Sequence, residues 1–291
     1  MGYERELALL KAVPMGRTLD GTVWHMPIVW QHVFVAAATG SGKGSWIWTL
    51  VLGLVSAWRA GLVEFWGCDP KMIELAMGRE VWEHYADNNE DSVTMLEQCV
   101  DAMHERTRHM QGISRKFQPS VDMPLNVLVI DEMGYLAAYL PDKRLRERAD
   151  KAVRALLAKG RAPGFAVVGA VQDPRKETCG YRDQFSIRIA GLMTAPMVDL
   201  VLGESAYEAG AWCDRIPLPH EGGAGVAYVL DEVSMKPLMV RAPWCSDETI
   251  KRVLSRPARS VVHTDGLKTD DLSLQPGLTP QPLQQWQYTV E

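Results

Sequence analysis

Residues 36–46 read AAATGSGKGSW, and this stretch decides the fold. It follows the phosphate-binding pattern G-x-x-x-x-G-K-S/T except at two positions, since Ala37 replaces the first glycine and Gly44 replaces the hydroxyl residue. An apolar strand pattern precedes it and an apolar helix follows, so backbone amides and the helix N-terminus would face a phosphate. The alternative is an ordinary strand, turn and helix with a surface lysine. The nucleotide-binding residues that the pattern predicts are Thr39, Gly40, Ser41, Gly42, Lys43, Gly44 and Ser45.

Composition excludes several classes of protein. The chain has 291 residues, 47% of them hydrophobic, which is enough for a large α/β core. A net charge of −5 gives no overall basic signature, although a local channel can still be basic. The five cysteines form no C-x-x-C pair, so neither a disulfide framework nor a zinc site is indicated. Because the longest apolar stretch, residues 46–58, is too short to span a bilayer, we expect a cytoplasmic protein that reaches any membrane or transfer machinery through a partner.

Strand and helix patterns alternate along most of the chain. Apolar, β-rich runs predict strands at residues 32–37, 62–68, 125–130 and 165–171, with shorter strands at 186–190, 225–230 and 238–242. Helices are predicted at residues 46–59, 91–110, 143–159 and 247–254. This alternation predicts an α/β fold with three layers around a mostly parallel central sheet.

Two more predicted strands end in polar residues suited to nucleotide chemistry. The run 127–130 is followed by Asp131 and Glu132, which suit a magnesium ligand and a base that orients the attacking water. The run 165–171 is followed by Gln172, whose amide can bond both the γ-phosphate and that water. The alternatives are acids that cap a strand at a solvent edge and a polar loop residue. Beside the glycine-rich loop, the acidic pair favours the nucleotide interpretation.

The composition changes near residue 256. From there Pro, Gln, Ser and Thr dominate, which is typical of a disordered tail. We therefore predict a lead-in segment at residues 1–30, a motor domain at 31–255 and a disordered tail at 256–291. Trp286 and Tyr288 would form either a docking motif or merely a stray apolar end.

The set of motifs resembles the FtsK/SpoIIIE-type DNA translocases of the RecA-like P-loop ATPase class. The resemblance covers residues 32–254. Within this class the sequence is most similar to the short FtsK/SpoIIIE-domain proteins of actinobacterial plasmids, integrative elements and phages. The pieces that carry it are HVFVAAATGSGKGS, FWGCDPKMIEL, NVLVIDEMGYL, LLAKGRAPGFAVVGAVQDP, FSIRIAG and VRAPWCSDETIKRVL.

The resemblance implies a ring, usually hexameric, that threads double-stranded DNA and hydrolyses ATP with Mg²⁺ between subunits. Lys43 matches the P-loop lysine, Asp131 the magnesium-site aspartate, Glu132 the catalytic glutamate and Gln172 the sensor glutamine. Because Gly44 lacks a hydroxyl, either Ser45 reaches the metal through a shifted loop or a water fills the place and Asp131 carries more of the site.

The resemblance also implies interface residues. Asp69 and Lys71 fall in an Asp-Pro-Lys motif, for which we expect a role in organising the subunit interface. An arginine supplied by a neighbouring subunit would stabilise the transferring phosphoryl group. Arg161 and Arg188 are the candidates, and we prefer Arg161.

DNA contacts are predicted at the segment that follows the acidic pair. Residues 135–148 occupy the place of a pore-facing loop in the family, where Lys143, Arg144 and Arg146 would meet phosphates without reading sequence. A solvated helix face is equally consistent with these three residues. The residues of a second candidate loop are Arg106, Arg108, Arg115 and Lys116.

Three functions remain open at this point. The leading one is an ATP-driven double-stranded-DNA motor for plasmid or mobile-element transfer. The second is a nucleotide-gated DNA-binding or adaptor protein with little turnover, in which the altered loop is detuned. The third is a DNA-packaging ATPase, against which the Asp-Pro-Lys and GRAPGF motifs argue.

Overall fold

The computed structural model describes residues 3–175, 180–231 and 236–255. The predicted tail, residues 256–291 with Trp286 and Tyr288, lies outside these ranges. In the part of the chain that is described, no helix is long and apolar enough to cross a membrane.

The described residues form helices and strands that alternate through the central part of the chain. The helices are α1 (Glu4–Lys11), α2 (Lys43–Gly53), α3 (Val55–Arg59), α4 (Asn89–Met110), α5 (Lys143–Lys159), α6 (Ala195–Leu202) and α7 (Asp247–Leu254). The strands are β1 (Val13–Thr18), β2 (Val23–Met26), β3 (Val33–Ala36), β4 (Val63–Cys68), β5 (His84–Ala86), β6 (Leu125–Ile130), β7 (Phe165–Val171), β8 (Ile187–Ala190), β9 (Val226–Asp231) and β10 (Leu238–Arg241).

These strands form one sheet in the order β2-β1-β10-β9-β8-β3-β7-β6-β4-β5. The six strands from β8 to β5 run parallel to one another. The other four extend the sheet antiparallel. The predicted parallel centre is thereby confirmed. The hairpin of β1 and β2 falls within the predicted lead-in, residues 1–30, and it pairs with β10 at the antiparallel end.

Helices cover both faces of the sheet, which gives the three layers that the sequence predicts. Alternate side chains of β3 point to opposite faces. Val33 and Val35 belong to the hydrophobic cluster that includes residues of α1, α2, α3 and α7. Phe34 and Ala36 belong to the cluster that includes residues of α4, α5 and α6. A strand buried on both faces must be apolar throughout, and this explains the uninterrupted apolar runs.

The helix predicted at residues 46–59 differs from the observed structure. It begins three residues earlier, at Lys43, because Gly42 has a left-handed backbone (φ 95°) that ends the preceding loop. It is also divided into α2 and α3 at Leu54, whose φ of −97° and ψ of −2° depart from regular helix. The early start places Lys43 in the first turn of α2.

His32 and Arg161 mark the end of the sheet opposite the glycine-rich loop. His32 is buried before β3, where Nδ1 accepts the Val167 N–H at 2.9 Å and Nε2 donates to the Leu157 carbonyl at 3.1 Å. Burial, with a smaller contribution from the charge of Arg161, lowers the pKa of His32 to about 4, so the ring is neutral at pH 7. Arg161 therefore lies near the amino ends of β3 and β7.

Candidate nucleotide site

The glycine-rich loop follows β3 at the carboxyl edge of the parallel strands, where ligands bind in open α/β sheets. The Ala37 N–H donates to the Val171 carbonyl at 3.2 Å, so Ala37 continues the strand pairing with β7. Its φ is not positive, and its side chain is buried. The first departure from the phosphate-binding pattern is thus accommodated, because only a left-handed backbone would require glycine there.

The intact glycines lie where the loop turns. Gly40 and Gly42 have φ values of 79° and 95°, which side-chain-bearing residues rarely adopt. A methyl group on Gly42 would also lie 2.7 Å from Cα of Gly225, the residue before β9. The Gly225 N–H donates to the Ser41 carbonyl at 2.9 Å, which fixes the loop against this neighbouring turn. Because Gly42 has no side chain to cap α2, the amides of its first turn face the loop without a side-chain bond.

Lys43 and Asp131 form a buried ion pair. Nζ of Lys43 donates to Oδ1 of Asp131 at 2.6 Å and to its carbonyl at 2.8 Å. The two side chains are only 7% and 4% exposed, so each charge depends on the other for compensation. A phosphate that binds the loop must therefore take Lys43 from Asp131, which releases that carboxylate for a cation.

Glu132 lies in a second group of contacts beside this pair. Its Oε1 accepts the Gln172 N–H at 3.3 Å, and its Oε2 accepts from Nζ of Lys71 at 3.1 Å. Oγ1 of Thr39 donates to Oε1 of Gln172 at 3.2 Å, which connects the sensor residue with the loop. The structure thus brings together the ends of β3, β6 and β7 that the sequence singled out.

The Asp-Pro-Lys motif makes its observed contacts within the chain. Lys71 bonds Glu132, as described above, and is partly exposed. Asp69 is fully buried, and its Oδ2 accepts the Leu75 N–H at 2.9 Å. Burial, together with the nearby charge of Asp131, raises the pKa of Asp69. The role of the motif in a subunit interface stays a prediction.

Glu74 is a site residue that the sequence reasoning missed. A methyl group on Gly44 would lie 2.7 Å from Cδ and 2.8 Å from Oε2 of Glu74, so the carboxylate fills the place of a side chain at that position. Burial raises the pKa of Glu74, and Asp131 adds to the rise while Lys43 opposes it. The sequence signal that could have identified Glu74 is the acid in DPKMIEL, taken together with the missing hydroxyl at Gly44.

The residues present fit a magnesium ion that arrives with a nucleotide. No group of three or more His, Cys, Asp or Glu side chains is placed to hold a metal in the described ranges. Magnesium usually takes one or two carboxylates and completes its shell with phosphates and water. The buried Asp131 supplies one such carboxylate, and its charge contributes to the raised pKa of Glu74. Ser45, the other predicted ligand, is buried one helical position beyond Gly44, which turns its side chain by about 100°.

The two candidate arginines lie in different places. Arg161 follows α5 at the amino edge of the sheet, and β7 separates that edge from the nucleotide loop by about 20 Å. Arg188 lies within β8, opposite Phe34 of β3, and its guanidinium packs near Gly203. Arg161 therefore cannot serve the nucleotide site of its own chain.

The predicted DNA-contact residues begin α5, after a π-helical turn at Tyr135–Tyr139. Lys143 and Arg144 are exposed, and Nζ of Lys143 lies 3.7 Å from Oε1 of Glu147. Arg146 is half-buried and donates to the Leu140 carbonyl at 2.8 Å. Exposure therefore favours Lys143 and Arg144 over Arg146 as groups that can meet a phosphate.

Arg106, in the second candidate loop, has a structural role. Its NH1 donates to the carbonyls of Pro124 and Pro163 at 2.8 and 3.3 Å, and its guanidinium lies over the rings of Phe117 and Phe165. Burial lowers its pKa. These contacts favour a structural role for Arg106 over a DNA contact.

Comparison with known proteins matches residues 6–118 to the FtsK/SpoIIIE family. The DNA translocase FtsK of Streptococcus pyogenes serotype M3 (strain SSI-1) is 24% identical in an alignment of 273 positions, and the match covers 84% of this chain and 32% of the relative. The FtsK of Lactococcus lactis subsp. cremoris (strain MG1363) is 27% identical in an alignment of 186 positions, and the match covers 57% of this chain and 24% of the relative. The chain spans about a third of the length of the Streptococcus relative that it matches.

Solved structures share the fold. The pCW3 conjugation coupling protein TcpA, solved as a monomer with ATPγS, has a TM-score of 0.69 at 17% identity, over 84% of this chain and 70% of that one. The cytoplasmic domain of the Type VII secretion ATPase EccC of Thermomonospora curvata has a TM-score of 0.65 at 21% identity, over 91% of this chain and 32% of that one.

The matched segment contains both the glycine-rich loop and the Asp-Pro-Lys motif. The acidic pair that follows β6 lies beyond it, yet it contacts that same loop and motif through Lys43 and Lys71. One site thus joins the matched and unmatched parts of the chain. Residues 6–118 thus match the FtsK/SpoIIIE family, and with its mostly parallel sheet and three layers the chain has the RecA-like P-loop fold that it shares with TcpA and EccC.

Proposed function

We propose that this chain is a cytoplasmic, ATP-driven translocase of double-stranded DNA that acts in plasmid or mobile-element transfer. The observation that carries the proposal is the convergence of the loop lysine, the acidic pair and the sensor glutamine at one edge of the sheet. The names of two similar proteins add support, since one is a DNA translocase and the other is a conjugation coupling protein.

In this proposal Lys43 leaves Asp131 and binds the β- and γ-phosphates of ATP, beside the amides of the loop. Asp131 would hold Mg²⁺, which would supply positive charge beside the phosphate oxygens. Glu132 takes a proton from water while the water oxygen bonds to the γ-phosphorus. The bond from that phosphorus to the β–γ bridging oxygen breaks, and ADP leaves with its electron pair.

Gln172 connects this chemistry with the rest of the domain. Its backbone N–H bonds the proposed base, and its side chain bonds Thr39 of the loop. Loss of the γ-phosphate would therefore alter both contacts at once. Because Gln172 directly follows β7, we expect that change to be felt at the carboxyl end of this strand.

A ring assembly, hexameric as in the family, follows from the same proposal. The transferring phosphoryl group needs a cation, and P-loop ATPases often take an arginine from a neighbouring subunit. Arg161 lies at the edge of the sheet opposite the loop, so a neighbour packed against that edge would receive it. Head-to-tail contacts of this kind close into rings.

The rival function is a nucleotide-gated DNA-binding or adaptor protein with little turnover. One observation favours it, namely the missing hydroxyl at Gly44, which removes an expected metal ligand. Glu132 and Gln172 argue against it, because a protein that only binds ATP has no need of a base and a sensor in contact.

Steady-state ATPase with and without duplex DNA distinguishes the two functions. We expect duplex DNA to raise turnover and Lys43→Ala to abolish it, because the loop then lacks the charge that binds the phosphates. Since Lys43→Ala also leaves Asp131 buried and unpaired, a melting curve must accompany the assay. Tight ATP binding by the unmodified chain without turnover would establish the adaptor instead, and a chain indifferent to ATP and DNA would refute both.

The DNA contacts have their own prediction. We expect Lys143→Ala with Arg144→Ala to weaken duplex binding equally for unrelated sequences and to reduce the slope of log K against log salt by about 2. Fluorescence anisotropy over a salt series measures this slope. Arg148→Ala is the matched control, because Arg148 on the same helix pairs with Glu97 at 2.7 Å. An unchanged slope in the double variant, or an equal change in the control, would contradict the assignment.

A further inference from the structure

The segment that follows the Asp-Pro-Lys motif places the Glu74 carboxylate beside Gly44, the loop position that lacks a hydroxyl. The pattern calls for a hydroxyl at residue 44, and that hydroxyl ordinarily binds magnesium. Here glycine leaves the place open, and the Glu74 carboxylate fills it, with Oε2 2.8 Å from where a methyl group would stand. A carboxylate thus occupies the space that a side chain at residue 44 would take, although it comes from another part of the chain.

We propose that Glu74 supplies to the magnesium ion the side-chain oxygen that Gly44 lacks, so that Glu74 and Asp131 hold the metal together beside the nucleotide. This inference rests on the proposed function, since it assumes that the site binds ATP with magnesium. It replaces the two earlier accounts of the vacancy, a shifted loop that brings Ser45 to the metal and a water in the place of the hydroxyl.

Main-chain contacts hold Glu74 at this position. The Glu74 carbonyl accepts from Nε1 of Trp48 at 3.2 Å. The next residue, Leu75, is bonded through both its N–H and its carbonyl. Its N–H donates to Asp69 at 2.9 Å, and its carbonyl accepts from Nε1 of Trp82 at 3.0 Å. The backbone is therefore fixed while the carboxylate at the end of the side chain can still adjust to a ligand.

The charges around Glu74 call for a cation. Glu74 and Asp131 are near enough to repel each other, and Lys43 is the cation that now compensates them. When a phosphate draws Lys43 away, two carboxylates remain beside an anionic nucleotide. A divalent cation with oxygen ligands matches that set, since magnesium accepts one or two carboxylates together with phosphates. Glycine at position 44 is then required, because any side chain there would displace the Glu74 carboxylate.

The test measures the affinity of a fluorescent, non-hydrolysable ATP analogue, once with Mg²⁺ and once with EDTA. We expect Glu74→Gln and Glu74→Ala to reduce the gain in affinity that Mg²⁺ gives by about tenfold or more. Affinity in EDTA should stay equal or rise, because a negative charge has been removed. Glu80→Gln, on the exposed part of the same segment, is the control and should keep the full gain.

Rescue gives the second arm of the test. Gly44→Ser in the Glu74→Ala background restores a hydroxyl at the vacated place, and Gly44 has no positive φ to forbid serine. We expect this double variant to recover most of the magnesium-dependent gain. Thermal melting of each variant with no nucleotide checks that the fold is intact.

Other outcomes would overturn the inference in recognisable ways. A full magnesium gain in both Glu74 variants refutes the assignment while leaving ATP binding, and thus the proposed function, untouched. Loss of the gain in Ser45→Ala but not in Glu74→Gln assigns the metal to Ser45 instead. Failure of the unmodified chain to bind the analogue at all refutes the proposed function itself, and this inference with it.

Discussion

Replacing Glu132 with glutamine is expected to slow ATP hydrolysis by about two to four orders of magnitude while ATP binding is retained. The glutamine keeps the size of the side chain, and its carbonyl can still accept the Gln172 N–H that Oε1 accepts now at 3.3 Å. What it loses is the ability to take a proton from water. Single-turnover hydrolysis, measured beside equilibrium binding of ATP, separates the chemical step from affinity.

The control for Glu132→Gln removes an acid that lies outside the site. Glu147→Gln on α5 is suitable, because Glu147 is exposed and contacts Lys143 at the surface at 3.7 Å. It should leave turnover unchanged. Hydrolysis by Glu132→Gln at the rate of the unmodified chain would show that another group orients the water, and the role given to the acidic pair would be wrong.

Arg161→Ala is expected to lower DNA-stimulated ATPase by about three to five orders of magnitude and to leave ATP binding unchanged. The arginine lies about 20 Å from the nucleotide loop of its own chain, so its effect must operate across a subunit interface. Arg188→Ala, assayed in parallel, decides between the two candidates. Loss of turnover in Arg188→Ala alone would move the assignment to β8.

Mixing two inactive variants tests whether Arg161 acts between subunits. Lys43→Ala disables the loop but keeps the arginine, whereas Arg161→Ala keeps the loop and lacks the arginine. Mixed rings contain interfaces at which an intact loop meets an intact arginine, so partial ATPase should return. If the mixture stays inactive although size-exclusion chromatography shows mixed assembly, Arg161 does not act in trans.

The central elements could be predicted from the sequence because each has a strong, continuous pattern. The strands β6 and β7 and the helix α5 have the predicted bounds, since a strand buried on both faces is uniformly apolar and a long amphipathic helix is periodic. The strand β5 and the β1–β2 hairpin were not predicted as strands. They are short and partly exposed at the edges of the sheet, so their pattern is weak.

The site could be predicted only in part. The residues that follow β3, β6 and β7 converge because the carboxyl ends of parallel strands meet at one edge. The glycine-rich pattern predicted Lys43, and the polar residues after two apolar runs predicted Asp131, Glu132 and Gln172. The contacts of Lys71 and Glu74 follow no such rule. They depend on the path of the irregular segment after the Asp-Pro-Lys motif. The buried Asp69 carboxylate fixes that path by accepting the Leu75 N–H. The side chains of Trp48 and Trp82 also fix it, by donating to the carbonyls of Glu74 and Leu75.

The close approach of Gly42 to Gly225 has a mechanical consequence. A Cβ on Gly42 would lie 2.7 Å from Cα of Gly225, so two backbones meet with no side chain between them to absorb displacement. The bond from the Gly225 N–H to the Ser41 carbonyl adds a rigid link. Gly225 leads directly into β9, the first antiparallel strand. We therefore expect a rearrangement of the loop around phosphates to displace β9 and, through strand pairing, the antiparallel half of the sheet that ends in the hairpin of β1 and β2.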